Sequence, residues 1–86
     1  MNGGSIDNAK TGAGRVYAAL KDRDGEWIGG WDLTVAAQTT AVSTRVSEVR
    51  HALAADPERR EAVESEQRGH GWYYRIVKTG VQLQLV

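Results

Sequence analysis

The chain of 86 residues contains no cysteine, so neither a disulfide nor a thiolate metal site can staple it. It carries no net charge either: eleven Lys and Arg balance eleven Asp and Glu. That removes the basic surplus with which nucleic-acid binders usually neutralise phosphates. Dividing the chain does not restore it, since residues 1–42 hold four basic and five acidic groups and residues 43–86 hold seven and six. No stretch approaches the ~20 apolar residues of a membrane span. Met1 to Lys10 lacks the apolar run of a secretion signal. A soluble cytoplasmic protein that touches no membrane is the expectation, and a cysteine-free chain suits that reducing compartment. Internal repeats and low-complexity segments are missing as well.

The arrangements that would carry catalysis are also missing. His51 falls in a helical pattern and His70 in a turn, with no Ser-His-Asp or Cys-His context around either. Gly12-Ala13-Gly14 lacks the Lys and Ser/Thr of a phosphate-binding loop, and no strand precedes it. Glu61, Glu64 and Glu66 read as solvated charges. With no metal-ligand spacing in the sequence, the expectation is a protein that is not an enzyme and needs no cofactor and no metal.

What is present is one modest core's worth of apolar residues, 41 % of the chain. A domain this small buries only about 60 % of the surface its unfolded chain exposes, so its stability is marginal. Residues 1–10 are polar, with Gly3-Gly4-Ser5 among them, and read as a flexible tail. Thr11 is a candidate N-cap. Ala13, Val16, Tyr17 and Leu20 then recur at helical spacing, which predicts a first helix over 12–21, ended by Asp24-Gly25. Glu26-Trp27-Ile28 predicts a short strand. Asp32 is a candidate N-cap for a second helix over 33–38. Thr39-Thr40-Ala41 breaks the pattern, and Val42, Val46, Val49 and Leu53 form the apolar stripe of a third helix that stops before Pro57.

Residues 57–61 read as a charged loop. Two strands follow, Ala62 to Gln67 and Trp72 to Val77, joined through Arg68-Gly69-His70-Gly71, where both glycines can take positive φ. Trp27 and Trp72 are expected in the core, and Trp31, after two glycines, partly outside it. Val81, Leu83 and Leu85 alternate with polar residues and predict one more strand over 79–86, which extends the sheet or pairs with a second copy.

The order is helix, short strand, helix, tight turn, helix, hairpin, an α+β arrangement. Ala36 is small enough to let the second and third helices approach. On the third helix the stripe leaves Ser43, Thr44, Arg45, Ser47, Glu48, Arg50 and His51 outward. The hydroxyls near its start can bond phosphates or base edges, and the Arg45 fork matches the two acceptors of guanine. Arg68 and His70 at the hairpin tip can reach a groove or its phosphates.

The segments GRVYAAL, EWIGGWDLT, TRVSEVRHAL and GWYYRI resemble the winged helix-turn-helix superfamily over residues 12–77, in particular small helix-turn-helix DNA-binding proteins encoded by phages of actinobacteria. The resemblance implies a winged helix-turn-helix domain over residues 11–78. It further implies double-stranded DNA as partner, with the third helix in the major groove and the hairpin as wing, in a small transcriptional regulator or recombination accessory factor. The residues that would touch DNA are Ser43, Thr44, Arg45, Ser47, Arg50, His51, Arg68 and His70. Two features depart from the pattern: Thr40 replaces the usual glycine of the helix-helix turn, and the basic surplus is absent. The neutral charge also fits a winged-helix module that grips a protein, a host protein if the chain is phage-encoded, or a homodimer joined through the last strand.

Overall fold

The computed structural model describes residues 6–79, which form a small α+β domain with three helices and a three-stranded antiparallel sheet. The elements are α1 (Gly12–Asp22), β1 (Ile28–Gly29), α2 (Gly30–Ala37), α3 (Val42–Ala54), a 3-10 turn (Pro57–Arg59), β2 (Glu61–Arg68) and β3 (Gly71–Lys78). β3 lies in the middle of the sheet, with β2 along its whole length and β1 paired only at Ile28–Tyr74 and Gly29–Tyr73. The strand expected over 79–86 lies, but for Thr79, outside the described residues. No helix among them is long and apolar enough to cross a membrane.

α1 starts where expected. Thr11 is its N-cap, accepting a hydrogen bond from the Gly14 N–H at 3.0 Å. The face predicted from spacing is the buried one: Ala13, Val16, Tyr17 and Leu20 all lie in the core. The tail read over 1–10 joins the domain earlier than expected, because Ile6 is only 2 % exposed. An isolated Ile among polar neighbours has no periodicity to announce its burial.

α2 departs most from the sequence expectation. It begins three residues early, at Gly30, with Gly29 as N-cap and no side-chain cap, so Asp32 sits inside the first turn instead of capping it. The shift moves the closely packed position along by one: Ala37 is fully buried and Ala36 exposed. The helix ends on Gln38 in the left-handed conformation (φ 53°, ψ 49°), while Thr40, where a glycine was missed, has no positive φ. The left-handed residue of this turn thus lies two places before the one that sequence reasoning watched. From α1, the Arg15 Nε–H donates to the Ala37 carbonyl at 2.8 Å and satisfies one of the last acceptors of α2. A left-handed L-residue costs about 1 kcal/mol, and glycine is the usual occupant of such a cap. Gln38→Gly is therefore expected to stabilise the domain by about 0.5–1 kcal/mol. A raised urea midpoint with an unchanged m-value would register it.

α3 buries Val42, Val46, Val49 and Leu53, as its stripe predicts, against α1 and β2. The hairpin supplies Val63, Tyr74 and Ile76 to the same core. Its turn uses Gly69 at φ +59°, whereas Gly71 already belongs to β3 and takes no positive φ.

Two tryptophans expected in the core are outside it. Trp72 shares a strand face with Tyr74 and Ile76 but stands two residues nearer the hairpin tip, opposite Gln67, and is 48 % exposed. Trp27 is half-buried, with the Arg75 guanidinium 4.5 Å and the Arg68 guanidinium 5.0 Å from its ring centre.

At the other end of the hairpin a polar cluster closes the molecule. The Tyr17 hydroxyl donates to Glu61 Oε1 at 2.6 Å, and Lys21 pairs with Glu61 Oε2. Arg59 donates to the Tyr17 oxygen at 3.0 Å and pairs with Asp56 at 2.9 Å and Asp7 at 2.5 Å. The N-terminal segment, α1, the 3-10 turn and β2 meet at this one point.

Candidate nucleic-acid interface

The exposed side of α3 is the subtraction of its buried stripe. Ser43, Thr44, Ser47, Glu48, Arg50 and His51 all face solvent. The helix begins after Ala41, which offers no side-chain cap, so its first N–H groups are left beside the Ser43 and Thr44 hydroxyls. Uncapped N–H groups and the positive end of the helix dipole favour an anion at this end.

The two arginines of α3 are not free, contrary to expectation. Arg45 is half-buried: its stem lies over Gly12, so closely that a Cβ there would come within 2.7 Å of Arg45 Cδ. Its Nη1 donates to both carboxylate oxygens of Glu48, at 2.7 and 2.8 Å. The two lie i, i+3 on one helix, where side chains of opposite charge are neighbours. Arg50 turns toward β2, donating from Nε to the Val63 carbonyl at 3.3 Å and from Nη2 to Ser65 Oγ at 2.8 Å. β2 is an edge strand, and Arg50 occupies part of its open side. Arg50 pairs with no carboxylate among the described residues.

At the hairpin tip, Arg68 and His70 are exposed. The Arg68 guanidinium stands 5.0 and 5.1 Å from the ring centres of Trp27 and Tyr73 and donates to Glu66 at 3.3 Å. It is therefore positioned, and its charge is partly balanced. Arg75 is balanced in the same way by Glu64 at 2.8 Å.

α3 and the hairpin enclose a groove. Its floor is Val46 and Tyr74, and its walls are Ser43, Ser47 and Arg50 on one side and Ser65 and Trp72 on the other. The structure thus brings Ser43, Ser47 and Arg50 together with the hairpin and leaves Thr44 and His51 on the solvent side of the helix. His70 belongs to a different cleft, shared with Trp31, Trp72 and the start of α2. Ser65 and Trp72 were missed as site residues. Ser65 carries no sequence signal. Trp72 carried a misleading one, because strand alternation assigns a face without saying how far the helices cover it.

Exposed ion pairs are worth about 0–1 kcal/mol, so a phosphate can draw Arg45 from Glu48, or Arg68 from Glu66, at little cost. Among the described residues no group of three His, Asp or Glu could hold a metal. No family model, curated protein or solved structure matches the chain.

Proposed function

We propose that the chain is a winged-helix domain that binds double-stranded DNA, with the exposed face of α3 toward the major groove and the β2–β3 hairpin as the wing. The role that fits is a small regulator of transcription or an accessory factor in recombination. The element order and the β1-β3-β2 sheet support the fold assignment. The observation that carries the binding reading is the α3 face itself. It begins at an uncapped helix end, runs through Ser43, Thr44 and Ser47, and lies beside a hairpin whose Arg68 is held against two rings. In this reading the hydroxyls and the helix end hold the backbone, and Arg45, released from Glu48, reads a base.

Because Arg45 and Arg68 each have a carboxylate beside them, affinity is modest and few counterions leave on binding. With about two or three phosphates neutralised, the observed association constant should fall some 10- to 40-fold between about 50 and 200 mM salt, a log-log slope of about −1.8 to −2.7. Fluorescence anisotropy on a labelled duplex measures it. Arg68→Ala should flatten the slope by about one and weaken all sequences alike, whereas Arg45→Ala should cost about 1–3 kcal/mol on a preferred sequence only. A chain that leaves the duplex unbound at low salt is not a DNA-binding domain of this kind.

A further inference from the structure

Arg68 ends β2, and its partner across the strand pair is Gly71. A glycine offers no side chain there, so the register of the hairpin gives this long cation no direct cross-strand support. Strand alternation puts Arg68, with Tyr73 and Arg75, on the side of the sheet opposite Val63, Tyr74 and Ile76. On that side its guanidinium lies over two rings, 5.0 Å from the centre of Trp27 and 5.1 Å from that of Tyr73. Tyr73 belongs to the hairpin, and its ring lies across Gly29, where a Cβ would come within 3.3 Å of it.

Trp27 comes from outside the hairpin, in the segment between α1 and β1. It takes no part in the buried core. The Arg75 guanidinium lies over the same indole at 4.5 Å and is itself held by Glu64 at 2.8 Å. That ties the ring to the middle of the sheet. Through Trp27 the cation at the hairpin tip is therefore referenced to the body of the domain.

We propose, on the DNA-binding reading above, that Trp27 is a positioning residue: it holds the Arg68 guanidinium at the wing tip in place for a DNA phosphate. Arg68 also donates to Glu66 at 3.3 Å, with the two side chains 46 % and 49 % exposed. A pair that open to water is weak, and an arriving phosphate competes with the carboxylate for the same N–H donors. It does not compete with the ring, which takes the flat face of the cation while oxygen acceptors take the N–H groups at its edge. The guanidinium thus changes its anionic partner without being placed afresh. An unsupported arginine loses rotamer freedom when it meets a phosphate; Arg68 has lost part of that freedom already, on folding.

A double-mutant cycle read by anisotropy on a labelled duplex at about 50 mM salt tests it, with circular dichroism to follow the fold. Trp27→Leu should weaken binding to any duplex sequence by about two- to tenfold, the cost of ordering one long side chain. In an Arg68→Ala background the same change should weaken it no further. Trp27→Phe keeps a ring face and should restore most of the loss. A tryptophan that only packs the hairpin against β1 would weaken binding equally in both backgrounds. The contact is also read without DNA and without any variant: the Arg68 Cδ protons of the wild-type chain should be shifted upfield in its NMR spectrum by the ring currents. Equal losses in the two backgrounds, a Trp27→Phe protein as weak as Trp27→Leu, or unshifted Arg68 protons in a chain that binds DNA would each overturn the role of Trp27 alone. A wild-type chain that leaves the duplex unbound takes the role down together with the DNA reading.

Discussion

Replacing Glu61 with Ala is expected to lower stability by about 2–3 kcal/mol, a large effect for a polar side chain. Its side chain is only 5 % exposed, yet it holds the Tyr17 hydroxyl and Lys21 directly and has Lys78 at 3.8 Å. Removing it leaves a buried hydroxyl without its acceptor and a lysine without its counter-charge. The figure stays below the cost of breaking a fully buried pair because Lys21 and Lys78 are 43 % and 73 % exposed and can turn to water. In a domain of this size the loss corresponds to a fall in Tm of about 10–20 °C.

The same cluster sets a pH dependence whose sign follows from the shifts. Burial alone would raise the Glu61 carboxyl above its ordinary 4.5, but the hydrogen bonds from Lys21 and Tyr17 outweigh it and hold the group lower. A carboxyl lowered in the folded state contributes stability above its unfolded value and loses it as pH falls through the folded one. Glu61→Gln should therefore lag the wild type by a constant amount at neutral pH, and the gap should close below about pH 4.5. On the alkaline side Lys21, bonded to Glu61, and Tyr17, raised chiefly by burial and then by its bond to Glu61, both titrate late. Their contribution is complete below the ordinary values of 10.5 and 10.0 and fades as pH climbs through the raised ones. Urea midpoints of both proteins at pH 3.5, 5, 7 and about 10.5 would show a plateau with two falling shoulders. A Glu61→Gln protein that tracks the wild type at every pH would remove the carboxylate from this account.

The parts of this fold that were legible in the sequence are those governed by a period. The stripe of α3, the inner face of α1 and the alternation of β3 repeat often enough to overdetermine their elements, and each lies where spacing put it. Single residues resisted. Gln38 adopts a left-handed φ that its identity does not announce, and Ile6 enters the core from a polar segment. Of the candidate site, the exposed hydroxyls of α3 followed from subtraction alone. The arginines did not, because where a long flexible side chain ends depends on what stands beside it in space. Glu48 was near enough in sequence to foresee as Arg45's partner, but Ser65 and the Val63 carbonyl reach Arg50 only through the packing of α3 on β2. The α3 face therefore presents exposed hydroxyls and a helix end, with Arg45 paired to Glu48 and Arg50 turned onto β2.

The second large effect is expected at Gly14, and here the usual rule reverses. Within a helix, Gly→Ala normally gains about 1 kcal/mol. At Gly14 a Cβ would stand 1.9 Å from the Asn8 carbonyl oxygen and 2.9 Å from Thr11 Oγ1, distances no real methyl tolerates. The obstacle is backbone, so it can yield only by moving residues 6–8 as a piece. That carbonyl accepts from the Thr11 N–H at 3.0 Å and the Thr11 hydroxyl at 2.9 Å, which holds the hydroxyl where it caps α1. Moving it loosens the cap, worth about 1 kcal/mol, and withdraws Ile6 from the core, worth up to about 2 kcal/mol. Gly14→Ala should thus destabilise by about 3 kcal/mol. The mechanism is separable from simple crowding by a double-mutant cycle with Ile6→Ala. If displacement of the N-terminal segment is the route, the two changes share one loss and their sum overshoots the double mutant by at least about 1 kcal/mol. Strict additivity would instead mean that Ile6 stays in place and that the strain is absorbed within α1.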